Sequence, residues 1–275
     1  MQKEDALRRR DFFAALSGVA IAGAALAGAE GALAAPVDPG SSKVRFGRHA
    51  LTIVDLTHRL TREFNFDPAH PRIAMESVDG SGVKAGMKMH RLSLIEHTGT
   101  HIDAPNHFGV GYKNLGDIPL SDLVVPLAVI DIAAKAAASP NAELEPADIE
   151  RWERRHGRLP DGCCVAMHSG ADPFADMART RREGRFASTG FSVDAAAMLM
   201  QHRQVKGIAV DAMTLDAGPN VPNYPVHQNW LRSGRWGIEG ITNLKATPAV
   251  GALLVVGAAP IAEATGMPVR ALALF

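Results

Sequence analysis

The 275 residues are 47% apolar and 21% charged, the make-up of a chain that buries an ordinary core and not of a disordered one. Twenty-nine Lys and Arg balance twenty-nine Asp and Glu, for a formal net charge of zero. Outside the N-terminus and a short Arg cluster at 179–185 there is no basic excess of the kind a nucleic-acid surface needs, so the expected partner is a small molecule.

In chain order, the first element is an address. Arg8, Arg9 and Arg10 precede Asp11-Phe12-Phe13, and an Ala/Gly-rich apolar run from Ala14 to Ala29 follows. The stretch closes on Ala32-Leu33-Ala34, a small-x-small cleavage pattern. Residues 1–34 therefore read as a twin-arginine-type signal peptide, with export to the periplasm as the expected location and the export machinery as a partner. The run holds only two Leu, too weakly apolar for a stable membrane span. Residues 35–275 form the expected single domain.

Short apolar runs bounded by turn residues predict strands at Leu51–Leu56, His90–Glu96, Leu127–Ile132, Cys163–His168, Ile208–Asp211, Ala252–Val256 and Val269–Phe275. Pro146 in a first turn and Gly157 past the end predict a helix over 146–156. Ser192 caps a second, Val193 to His202, and a third covers Val226–Arg232. The alternation is too loose for a doubly wound sheet, and a compact α/β domain with a mixed sheet is expected. No GxGxxG or Walker sequence supports a nucleotide cofactor. Cys163 and Cys164 are adjacent. Their Cα separation of about 3.8 Å falls below the usual disulfide range of about 4.4–6.8 Å, so they read as buried strand residues. His168-Ser169-Gly170 lacks the GxSxG surroundings of a serine nucleophile and reads as a loop.

The segment HTGTHIDAPNHF, His97 to Phe108, carries the chemistry. His97 and His101 have helical zinc-site spacing, but Gly99, the β-branched Thr98, Thr100 and Ile102, and Pro105 all disfavour a helix. Extended chain with a kink at Gly99 is the better reading. His101 and Asp103, two apart, then share a face, and the kink brings His97 to them. Two imidazoles and a carboxylate suit a divalent ion with open positions. His107, past a Pro-Asn turn, can reach the same cavity as a proton carrier. Further ligands must come from elsewhere: VHQNWLRSGRWGIEGITNL offers His227, Gln228 and Glu239. Asp211 and Asp216 compete as carboxylates, although each reads more readily as a turn or cap residue.

HTGTHIDAPNHF resembles the HxGTHxDAPxH signature of the metal-dependent cyclase family, which includes bacterial kynurenine formamidases and isatin hydrolases. It matches at His97, Gly99, Thr100, His101, Asp103, Ala104, Pro105 and His107. The likeness extends through DLTHRL (55–60), GIAVDAMTLDAG (207–218), VHQNWLRSG, GIEGITNL and the closing PVRALAL. It implies a swivelling β/β/α fold with a mixed sheet, assembled as a homodimer or higher homo-oligomer. It implies Zn or Mn, as one or two ions, held by His97, His101 and Asp103, with Asp103 able to bridge, and completed by His227 and Glu239. His107 is the implied catalytic acid/base. Where formamidases carry Trp-Pro-Gly after DLTHRL, this chain reads TREFNFDPAHPRI, with Phe64 and Phe66 as its aromatics. The expected activity is hydrolysis of a small amide or lactam C–N bond, arylformamide- or isatin-like, by a metal-activated water. A metal-dependent lyase or isomerase and a non-catalytic exported metal or ligand carrier are the alternatives.

Overall fold

The computed structural model describes residues 40–47, 49–64, 70–78, 86–174, 181–182, 185–221 and 223–275. The expected signal at 1–34 and Phe66 lie outside them.

The chain is organised on a ten-stranded mixed sheet. Its strands are β1 (Ser41–Phe46), β2 (His49–Asp55), β3 (His101–Asp103), β4 (Val124–Asp131), β5 (Cys164–His168), β6 (Gly207–Val210), β7 (Trp236–Glu239), β8 (Ala252–Gly257), β9 (Gly266–Pro268) and β10 (Arg270–Leu274). The spatial order is β1-β2-β10-β8-β4-β5-β6-β7-β3-β9. The central β4, β5, β6 and β7 run parallel, and antiparallel pairs flank them on both sides. A mixed α/β domain was expected, and this is one. The sheet curls until its two sides touch. His58 N, just beyond β2, donates to Thr100 Oγ1 (2.9 Å), whose hydroxyl donates to Gly240 O (2.5 Å). Thr242 N donates to Leu56 O (3.0 Å).

The alternating pleat of the strands builds two cores. Cys164 and Ala166 face inward into the curl with Leu56, Ile102, Leu127, Ile238 and Leu254. Cys163, Val165 and Met167 face the helices, among Ile149, Trp152, Leu199, Trp230 and Leu231. The adjacent cysteines thus lie in different cores, both free and fully buried. Burial pushes the Cys163 thiol up to about 12 and the Cys164 thiol well above its ordinary value.

Among the described residues, three helices of at least two turns cover the outer face: α1 (Pro146–His156), α2 (Val193–His202) and α3 (Pro225–Arg232). Their starts follow from local chemistry. Pro146 opens α1 behind a reciprocal Glu145–Asp148 cap, and Ser192 Oγ accepts from Ala195 N (3.1 Å) at α2. Helix α3 has no local side-chain cap. The carboxylate of Asp216 does that work from another loop, accepting from Val226 N (2.8 Å) and His227 N (3.1 Å). The strand expected over His90–Glu96 is shorter, His90–Ser93, and pairs with Ala74–Ser77 as an exposed hairpin outside the main sheet. Among the described residues no helix is long and apolar enough to cross a membrane.

Candidate metal centre

Gly99 has φ +67°, the left-handed kink that the extended reading of the motif required. After it, β3 carries His101 and Asp103 on one face while the intervening Ile102 is buried in the core. Register does the rest. Glu239 on β7 lies opposite His101. Asp103 has a glycine across from it on each side, Gly237 on β7 and Gly266 on β9. Those missing side chains leave room for imidazoles around the carboxylate. A Cβ on Gly266 would sit 2.5 Å from His97 Cε1 and 2.5 Å from Ile102 O, so only glycine lets His97 seat there.

Around Asp103 the residues expected as ligands converge. Asp103 Oδ1 is 2.7 Å from His97 Nδ1 and 3.4 Å from His101 Nε2, and Oδ2 is 3.5 Å from His227 Nε2. Glu239 Oε2 is 3.3 Å from His101 Nε2, and Oε1 is 2.8 Å from His227 Nε2. His101, Asp103, His227 and Glu239 are all buried. Two sets of ligand atoms, His97/Asp103/His107 and His101/Asp103/Glu239, each fall within 4.8 Å, and Asp103 belongs to both.

The remaining ring nitrogens are engaged elsewhere. His101 Nδ1 donates to Gly99 O (2.9 Å) and His227 Nδ1 to Asp216 Oδ2 (2.6 Å), which leaves both Nε2 atoms turned to the carboxylates. His101 Nε2 and Asp103 Oδ2 are buried without a hydrogen-bond partner among the described residues. Orphaned buried polar atoms are costly, and a cation between them satisfies both. The donor set of imidazole nitrogens and carboxylate oxygens suits Zn or Mn.

With no ion, the cluster holds its charges by pairing protons with carboxylates. Burial opposes charge on His101, but the Asp103 and Glu239 carboxylates outweigh it and raise its pKa to about 10. His227 is raised well above its usual value in the same contest, by Glu239, Asp103 and Asp216. Burial and the Asp103 charge act to raise Glu239, yet His227 and His101 bring it down to about 2. His107 differs. Burial takes it down to about 4, the His97 and His227 rings adding to the shift while Asp103 and Glu239 oppose it. Its ring stacks on His97 at 3.9 Å between centroids and packs edge-on against Phe108.

Gln228 takes no part: its side-chain amide donates to Asn223 O (2.7 Å). Asp211 is a loop residue, as its turn reading implied. It accepts from Ser169 N, Ser169 Oγ (2.6 Å), Gly170 N and His168 Nδ1 (3.0 Å). Ser169 and His168 both bond to Asp211 and not to each other, so no nucleophile–base pair exists there. Asp216 caps a helix as read, and it also orients His227, a role its position in TLDAG did not reveal. Thr265 and Glu96, which hold the far nitrogen of His97, gave no sequence signal.

Fold and site together define a member of a known class. The model of the Cyclase family matches residues 54–217, and the chain belongs to that family. Isatin hydrolase of Roseibium aggregatum is 33% identical over 192 residues, covering 66% of this chain and 72% of its own. Kynurenine formamidase of Bacillus mycoides is 26% identical over 220 residues, covering 79% and 95%. Among solved structures, isatin hydrolase A from Labrenzia aggregata bound to benzyl benzoate superposes with a TM-score of 0.74 at 33% identity, over 82% of this chain and 93% of that one. An isatin hydrolase bound to the product analogue thioisatinate gives 0.74 at 28% identity, over 82% and 92%.

Proposed function

We propose that this protein is a divalent-metal-dependent hydrolase that opens the C–N bond of a compact amide or lactam, such as an N-formyl aryl amine or isatin. The observation that carries it is the convergence of half-buried His97 with buried His101, Asp103, His227 and Glu239, where His101 Nε2 and Asp103 Oδ2 have no hydrogen-bond partner among the described residues. The similarity to isatin hydrolase and kynurenine formamidase supports the reaction class.

His97, His101, Asp103, His227 and Glu239 would hold one or two ions, Zn or Mn. A divalent ion bound there supplies Lewis acidity, lowering the pKa of a water and polarising the scissile carbonyl. The protein supplies the proton traffic. His107 is neutral at pH 7, since its pKa is depressed to about 4, and its ring is held against His97 beside the cluster. A neutral imidazole there accepts the attacking water's proton and returns one to the leaving nitrogen. The stack on His97 and the contact with Phe108 fix the ring for both steps. Phe64 and His58 each pack on Phe174 at 4.8 Å between ring centroids, and Phe64 lies beside Gly99 and Phe174 beside Gly240. A small planar substrate suits such walls.

The test is turnover of isatin and N-formylaniline by ion-loaded and chelated protein. Loss on chelation with recovery on adding Zn or Mn is expected; turnover by the stripped protein would refute the metal role. The same reading includes export. Replacing Arg9 and Arg10 by Lys is expected to stop accumulation of the protein in the periplasmic fraction, and unchanged accumulation would contradict it.

A further inference from the structure

We propose that Thr265 and Glu96 are positioning residues that set the tautomer of His97, turning its Nδ1 lone pair toward the ion. The inference rests on the metal-centre reading above. Two of the three ligand imidazoles have their Nδ1 occupied, by Gly99 O and by Asp216, and face the centre through Nε2. His97 is reversed. Its Nδ1 is the atom at 2.7 Å from Asp103 Oδ1, and its Nε2 points outward, 3.1 Å from Thr265 Oγ1.

A hydroxyl has one proton to give. Thr265 Oγ1 lies 2.5 Å from Glu96 Oε2, and the same carboxylate oxygen also accepts from Thr265 N at 3.2 Å. A carboxylate accepts only, so the short contact takes the hydroxyl proton. Thr265 Oγ1 is then an acceptor toward His97, and Nε2 must be the protonated nitrogen. With the proton held at Nε2, the Nδ1 side of the ring faces Asp103 Oδ1 at 2.7 Å and would be the atom offered to a cation held by both residues. The chain Glu96–Thr265–His97 therefore presets the ring for an ion and against the competing tautomer, in which Nδ1–H would bond to Asp103 and close the position. Gly266, next to Thr265, provides the space for this ring position.

Glu96→Ala frees the Thr265 proton for Nε2 and reverses the tautomer, and Thr265→Val removes the acceptor of the Nε2 proton, so these are the informative changes. Glu96→Gln and Thr265→Ser keep an acceptor and a hydroxyl. The affinity of the full chain for Zn is measured by competition with a chromophoric chelator. In parallel, the metal-free protein labelled with ¹⁵N-histidine is followed by NMR at pH 8, with His97 assigned through His97→Gln.

Glu96→Ala and Thr265→Val are expected to weaken Zn binding by about 10- to 100-fold, with Thr265→Ser and Glu96→Gln recovering most of it. NMR is expected to show the His97 proton on Nε2 in the native chain and on Nδ1 in Glu96→Ala. Equal affinity across all four variants, or a native His97 whose Nε2 is unprotonated, overturns the proposal and leaves the metal centre standing. A native chain that binds no Zn removes the metal reading instead, and the NMR result still decides the tautomer.

Discussion

Asp103 has glycine on both sides of it in the sheet, and the individual residues around it divide into those that hold and those that orient. In the proposed metal centre His101 and His227 would hold the ion, while Gly99 O and Asp216 fix which nitrogen they present. Asp216→Ala is expected to lower metal affinity about 10- to 100-fold, because His227 loses its orienting carboxylate. Because Asp216 also caps α3, the fold of the variant is checked beside the native protein by urea unfolding. In the proposed mechanism His107 carries the proton, and its ring stacks on His97. His107→Ala is expected to keep its metal and lose about 10²- to 10⁴-fold in kcat; loss of metal instead would make it a ligand. Its depressed pKa also has a sign. A base must be neutral, so the acid limb of kcat/KM is expected near pH 4, not near the ordinary 6.5.

At the scale of elements, the motif was legible because its residues argue against each other's alternatives. Gly99, Pro105 and the β-branched residues excluded a helix, and the period of two then put His101 and Asp103 together. The observed strand, His101–Asp103, is buried along its whole length. The starts and ends of α1 and α2 were legible from Pro146, Gly157 and Ser192. What stayed hidden was long-range. The cap of α3 comes from Asp216, nine residues before Pro225, and no local pattern distinguishes such a carboxylate from a turn residue. Gly237 and Gly266 drew no expectation from the sequence, and register alone sets both against Asp103. The exposed hairpin at Ala74–Ser77 and His90–Ser93 was not expected either, since its alternation resembles that of a half-buried strand. The most testable element is α3. Trp230 is fully buried, and its indole Nε1–H donates to Trp236 O (2.8 Å) at the start of β7. Trp230→Ala is expected to cost about 3–5 kcal/mol in urea unfolding, from cavity formation between the helix and the strand that carries Glu239.

For the whole molecule, the proposed ion and the protons would compete for the same buried cluster. In the metal-free protein the His101 pKa is raised from 6.5 to about 10, so its proton stabilises the fold fully below pH 6.5 and that contribution is lost as pH rises through 10. An ion must displace that proton, so binding releases protons and apparent affinity rises with pH over this window. The gap in Tm between ion-loaded and chelated protein is accordingly expected to widen from pH 6.5 upward; a gap that narrows would contradict the assigned charges. The α/β class and the family were legible before the fold was in view, because the chemistry is concentrated in one short motif and two distal segments. Curling of the sheet, which brings β2 against β3 and β7, was not, since it depends on hydrogen bonds between residues 40 to 190 positions apart.

The measurement that bears most directly on a metal-dependent hydrolase is turnover of isatin in ¹⁸O-labelled water by the ion-loaded protein and by the same sample after chelation. The loaded protein is expected to give the ring-opened product with one labelled oxygen in its new carboxylate, and the chelated sample to give none until Zn or Mn is returned. Label-free product, or undiminished turnover after chelation, would contradict the account.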